Sequence, residues 1–178
     1  HGTVPFDKIE LVHYEPAIRE GISQEDKEIN DIISNPEKPT FKNTILALEQ
    51  SGKLLDQVTT VMFNLMSAET CNELDEIAEK MMPLLSEHSN NISLNEKLFE
   101  RVKQVYEDRK NLKLTPEELR LLEKTYDGFV RNGANLSEED KVTFRKISTE
   151  LSSLTLRFSQ NHLKETNSYE LLLDSEEQ

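Results

Sequence analysis

The sequence predicts an all-α domain, a mostly antiparallel bundle of six or seven helices joined by short connections. Three observations carry that expectation. Apolar residues recur at three- and four-residue steps through most of the chain. Helix start signals stand ahead of several of those stretches. Five glycines and six prolines in 178 residues are too few for a turn-rich β architecture, while charged residues make up 31%. A chain of this length supports a single domain over residues 1–178 with its own core. Trp is absent and aromatics are sparse, so that core is expected to be Leu, Ile, Val and Met.

Residues 1–11 read as extended around Val4-Pro5-Phe6. A helix is expected to begin near Pro16, whose ring suits a first turn, with Ile18, Ile22, Ile29 and Ile32–Ile33 inward. Asn35-Pro36-Glu37-Lys38-Pro39 ends it. Thr40 caps the next helix, which carries Ile45, Leu46 and Leu48 and is kinked or broken at Gly52. The pattern resumes through Leu55, Val58, Met62 and Leu65. Thr70 and Glu73 have capping-box spacing ahead of Leu74, Ile77, Met81, Leu84 and His88, with Pro83 expected to bend that helix. Ser93 and Glu96 repeat the spacing before Leu98, Val102, Val105 and Tyr106.

Thr115-Pro116-Glu117-Glu118 is a stronger start signal, and Leu119, Leu122, Tyr126 and Phe129 should face inward behind it. Asn132-Gly133 offers the left-handed geometry of a helix end. Ser137 opens the last long helix, where the acids at 138–140 complement the dipole. Ile147, Leu151, Leu154 and Phe158 form a seam with coiled-coil-like spacing. Tyr169 to Asp174 reads as an extended strand or a short buried segment.

The net charge of −13 disfavours phosphate backbones and anionic membrane surfaces, so neither nucleic acid nor membrane is an expected partner. The acidity could attract cationic peptides, but charges spread along helix faces are more simply a solvated surface. Cys71 is the only cysteine, which fits a reducing compartment. No apolar run approaches the ~20 residues of a membrane span. The expected location is the cytoplasm, with the periplasm as the alternative if a leader has been removed ahead of His1.

Catalytic signals are missing. A helical zinc protease places two histidines four residues apart with a glutamate after the first. The histidines here are His1, His13, His88 and His162, and no pair has that spacing. Glu10 and His13 have the Glu-x-x-His spacing of helical di-iron sites, but a single copy ahead of the first clear helix reads as a surface coincidence. His88 and His162 each extend an apolar seam and read as hydrogen-bonded histidines at the core edge. Cys71 sits near a helix cap, where a thiolate could be stabilised, yet no base is identified beside it. Met62, Met66, Met81 and Met82 suggest an adaptable surface, although Met81 fits a core position at helical spacing. Asn91-Ile92-Ser93 and Asn135-Leu136-Ser137 match the glycosylation pattern, which is common by chance. No catalytic or metal residue is therefore assigned, and substrate-binding residues stay unassigned.

Several stretches, in order, resemble one family. They are Phe6-Asp7-Lys8-Ile9 with His13-Tyr14-Glu15-Pro16-Ala17, then Asn35 through Thr44, then Ala47-Leu48-Glu49-Gln50-Ser51-Gly52. Leu85-Ser86-Glu87-His88, Leu94 to Phe99, Phe129 to Ala134, and Phe158-Ser159-Gln160-Asn161 with Glu165-Thr166-Asn167 follow. Together they resemble the N-terminal region of the thimet oligopeptidase family of zinc metallopeptidases, most closely its bacterial peptidyl-dipeptidases (dipeptidyl carboxypeptidases) and oligopeptidase A.

The resemblance implies a largely helical parent, much longer than this chain, that hydrolyses short peptides in a deep channel. Its zinc motif lies in a C-terminal catalytic region, where the metal polarises the scissile carbonyl and its water while a glutamate takes the proton. This chain would match one wall of the channel, so its implied partners are that catalytic region and short peptides, and it carries no cofactor itself. The alternative is a free-standing helical interaction module. Leu171–Leu173 would be an edge severed from its cover, disordered or self-associating through residues 169–174.

Overall fold

The computed structural model describes residues 4–172, and the described part is helical with no strand. Six helices of 12 to 31 residues dominate. In chain order the α-helices are α1 (Tyr14–Ser34), α2 (Ala47–Glu49), α3 (Lys53–Ala68), α4 (Asn72–Ser93), α5 (Glu96–Glu107), α6 (Pro116–Arg131) and α7 (Glu138–Ser168). The predicted all-α bundle is observed. Val4–Val12 is not extended throughout: 3₁₀ turns occupy Phe6–Lys8 and Leu11–His13 ahead of α1.

Local signals placed most helix starts correctly. Thr40 accepts a hydrogen bond from Asn43 N, but it opens a π-helical turn, Phe41–Leu46, that runs into α2. Gly52 takes φ +68 and divides α2 from α3, where a Cβ would also collide with the Glu25 carboxylate. Thr115 and Glu118 form the reciprocal box at α6, and Gly133, at φ +88, follows its end. Ser137 caps α7 by accepting from Asp140 N at 3.1 Å. Pro83 lies inside α4, which continues to Ser93.

Two expected capping boxes are not formed. The residue that caps α4 is Cys71, and Thr70 Oγ1 instead donates to the buried Asp75 carboxylate at 2.7 Å. Ser93 ends α4 rather than starting α5, and Asn95 caps α5 by accepting from Leu98 N at 3.0 Å. Asn95 supplies a side-chain oxygen to its helix start, whereas Cys71 holds the cap position of α4 with no side-chain bond.

Helix α1 runs antiparallel to α3, with Glu28 at Gly52 and Gly21 at Leu55. It runs parallel to α4, with Glu15 meeting Lys80 and Glu25 meeting His88. Helix α4 pairs antiparallel with α7 through Ser86–Ser152 and Asn90–Ser148. Helix α5 packs on α6, where Phe99 stacks on Tyr126 and Phe129, and Tyr106 on Tyr126.

Two cores result. One joins Ile29 and Ile32 to Ile45, Leu98, Val102, Leu122 and Phe129. The other joins Tyr14 and Ile18 to Leu55, Met62, Leu74, Met81 and Leu156. Helix α1 contributes to both, its first half to the second core and its last half to the first.

The Asn35–Thr44 stretch is held in place by Arg101. That side chain is buried on the apolar face of α5 and donates from Nη1 to Asn35 O at 2.9 Å and to Glu37 O at 3.4 Å. Its Nη2 reaches Asn43 Oδ1 at 3.5 Å, while Asn43 Nδ2 holds Lys38 O at 3.1 Å. The loop's carbonyls would otherwise face an apolar helix without donors. Arg101→Met keeps the aliphatic stem and removes these bonds. It should lower the urea unfolding free energy by about 2–3 kcal/mol with an unchanged m-value. A loss below about 0.5 kcal/mol, the level of an ordinary surface change, would show that the clamp does not hold the loop.

Candidate functional site

A cleft of about 790 Å³ lies between α3, α4 and α7. Phe63, Met66, Met82, Leu151, Phe158 and His162 are among its lining. Helix α3 supplies Phe63 and Met66, and α4 supplies Met82. Met62 and Met81 are fully buried, so the methionine set divides between core and cleft wall. Unbranched thioethers on such a wall can repack around different shapes.

Helix α7 departs most from the sequence expectation. Ile147, Leu151, Leu154 and Phe158 do not pack as a seam within the domain, being 53–71% exposed. The buried residues of α7 are Lys141 and Leu156, and Leu156 stands half a turn away from the seam. The face towards α4 is polar. Asn90 Nδ2 donates to Ser148 Oγ at 2.8 Å, Ser148 Oγ donates to Asn90 Oδ1 at 3.0 Å, and Arg145 Nη1 donates to Asn91 Oδ1 at 2.8 Å. Periodicity identified the apolar stripe correctly; it carried no information on which side the neighbour lies.

Polar clusters among the described residues tie elements of the fold together. Lys141 is buried and donates to Glu138 at 2.7 Å and Glu96 at 2.9 Å. These two hydrogen bonds raise its pKa above the ordinary lysine value. Glu10 N donates to His13 Nδ1 at 3.0 Å, so the Glu-x-x-His pair is a local cap. Cys71 is exposed and its side chain makes no capping bond. His162 is exposed at the cleft rather than at the core edge, with its ring 6.4 Å from that of Phe158. His1 lies outside the described residues. The Asn91 side chain is engaged by Arg145.

Among the described histidines His88 is the buried one. Nε2 lies 2.8 Å from Glu25 Oε2, and Nδ1 lies 3.3 Å from Asp26 Oδ1. His88 is thus the hydrogen-bonded histidine that the sequence suggested, but its partner Glu25 was not foreseen, and buried Arg101 is among the polar residues that sequence reasoning left without a role. The available signal was a charged side chain at a position whose helical neighbours are apolar, such as Arg101 between Leu98 and Val105.

Among the described residues no three His, Cys, Asp or Glu side chains are grouped to hold a metal ion. The residues present do not fit the tetrahedral set that a catalytic zinc requires. No described helix is long and apolar enough to cross a membrane.

The chain is 43% identical over 169 residues to dipeptidyl carboxypeptidase of Escherichia coli (strain K12). That match covers 95% of this chain and 25% of the relative. It is a relative of the dipeptidyl carboxypeptidases and oligopeptidases. Oligopeptidase A of Haemophilus influenzae is 27% identical over 175 residues, covering 98% of this chain and 26% of that protein. Thimet-like oligopeptidase of Dictyostelium discoideum is 29% identical over 140 residues, covering 76% and 21%. The chain thus spans about a quarter of the length of these relatives. No protein-family model matches it.

Three of the stretches that carried the resemblance contain contacts that hold this fold together. Asn35 to Thr44 is the Arg101 clamp, Gly52 donates to Glu28, and His88 meets Glu25.

The His88 contact makes stability depend on pH. The hydrogen bond to Glu25 raises the His88 pKa; burial opposes the rise, and the Glu25 and Asp26 charges add to it. A raised folded-state value favours the protonated form in the folded state. Its stabilisation is fully present below the unfolded pKa of about 6.5 and disappears as pH rises through the folded value. Unfolding free energy measured from pH 5.5 to 9 should fall over that window in the unsubstituted chain. His88→Gln should be less stable at the acid end and lack the histidine-linked slope. Parallel profiles for the two proteins would refute the linkage.

Proposed function

We propose that this chain is the non-catalytic N-terminal part of a longer zinc-dependent oligopeptidase or peptidyl-dipeptidase. The observation that carries the reading is 43% identity over 95% of the chain to a quarter of a dipeptidyl carboxypeptidase. The clusters of polar side chains on these helices hold elements together and leave no built set of metal ligands among the described residues. Hydrolysis is assigned to the rest of the polypeptide, which supplies the zinc and its ligands. The chain's own task is to form one wall of the access channel, admitting extended short peptides and excluding folded proteins. A rigid helical wall suits that task, because its side chains keep fixed positions as substrates pass. The cytoplasm is the proposed location, with the periplasm as the alternative.

The test compares two proteins. Residues 1–178 alone should retain no stoichiometric zinc after dialysis and should leave a quenched fluorescent peptide intact. The natural-length product should cleave that peptide and lose activity on chelation. Chelator-sensitive cleavage by residues 1–178, with contaminating protease excluded, would overturn the division of labour. A natural product that ends at Gln178 and cleaves nothing would favour the interaction module instead.

A further inference from the structure

The turn between α6 and α7 holds a chemically labile pair. Asn132 is the only asparagine in the chain that is followed by glycine. A glycine has no side chain to shield its backbone nitrogen, so that nitrogen can attack the amide carbon of an asparagine before it. Asn132 is exposed, which leaves the pair open to water.

The helix end requires the glycine. Gly133 takes φ +88, a left-handed value, and a Cβ there would lie 2.7 Å from Leu136 Cδ1 and 3.3 Å from Leu94 Cδ2. Gly133 N donates to Val130 O at 3.2 Å, and Ala134 N donates to Phe129 O at 3.0 Å. These are the two bonds of a Schellman helix end, and Ala134 and Phe129 share one hydrophobic core behind it. The residue that closes α6 is therefore also the one that makes the preceding asparagine reactive.

The same geometry holds the reacting atoms apart. The N–H of Gly133 is engaged by Val130 O. Asn132 Nδ2 donates to Gly128 O at 3.0 Å, which draws the side-chain amide back along α6. Ring closure needs Cβ and Cγ of Asn132 nearly in plane with Gly133 N, and the observed ψ of 17° does not place them so.

We propose that Asn132-Gly133 is a site of spontaneous deamidation, gated by fraying of the last turn of α6. Hydroxide takes the Gly133 amide proton, and the nitrogen bonds to Asn132 Cγ. The bond from Cγ to Nδ2 breaks, and the leaving nitrogen takes a proton from water to depart as ammonia. Water then opens the succinimide. Attack at one carbonyl gives aspartate, and attack at the other gives isoaspartate, whose main chain runs through Cβ and Cγ. Either product adds a negative charge at the C-terminal end of α6, where the helix dipole disfavours it. Isoaspartate also lengthens the main chain by one carbon, so the two bonds of the helix end cannot both re-form. The modification is thus a lasting record of local opening, and it is independent of the peptidase reading.

The test incubates the natural-length product at physiological pH and temperature beside a capped peptide of residues 129–136. Digestion and mass spectrometry read the exchange of NH2 for OH at Asn132, and electron-transfer fragmentation separates isoaspartate from aspartate. Among the asparagines of residues 1–178, Asn132 should react first, with isoaspartate the larger product. Its rate should be roughly ten- to hundredfold below that of the peptide, because three hydrogen bonds must open first. Hydrogen exchange at the Gly133 and Ala134 amides should be slowed by a similar factor. Earlier reaction at another of these asparagines would overturn the proposal. So would a rate equal to that of the peptide, or slow reaction with both amides exchanging freely. An Asn132 that stays intact after hydrogen exchange has shown repeated opening of those amides would do the same.

Discussion

The arrangement depends on the middle of α1, where one helix passes from one hydrophobic core to the other. Ile18 belongs to the first half and Ile29 to the second, and Glu25 and Glu28 lie between them. Glu28 receives Gly52 N at 2.8 Å, and Glu25 receives the buried His88. Those contacts fix α3 and α4 against α1 at the level where neither core reaches. Apolar burial holds each half together but has no direction. The charged hydrogen bonds supply direction, and removing one partner would strand the other in a poorly solvated place.

Three of the stretches that resemble peptidases therefore contain joints of the fold. Asn35 to Thr44 folds back on Arg101, Gly52 leaves room for Glu25, and His88 closes the α1–α4 contact. A domain built so that its loops are tied to helix sides can keep a wall in place while peptides move past it. That mechanical role suits the proposed channel and needs no catalytic side chain on these helices.

Helix existence was legible because its signals are local. Thr115-Pro116-Glu117-Glu118 and Ser137 act on backbone groups within one turn, so their spacing suffices. Thr70 and Ser93 showed similar spacing but lost to Cys71 and Asn95, since Asp75 draws Thr70 away and α4 runs on through Ser93. The start of the chain read as extended because short 3₁₀ turns leave no period to detect. Tyr169, Leu171 and Leu172 are exposed and form neither strand nor buried segment, while Leu173 and Asp174 lie outside the described residues. Arg101 and the α7 stripe were beyond local pattern for a different reason. Their roles depend on what stands opposite, and a periodicity contains one surface of a contact and never its complement.

The serine- and asparagine-rich contact between α4 and α7 resists sliding. An apolar contact tolerates small displacements along the helix axis, because one methyl group serves nearly as well as the next. The Asn90–Ser148 and Ser86–Ser152 bonds do not, since a shift by one turn would break both together. Helix α7 is therefore indexed, like a shaft with a key, in height and in rotation. Anything seated on its outer side inherits that setting, so the geometry of a joint on one face of the helix is determined by a handful of hydroxyl and amide groups on the other.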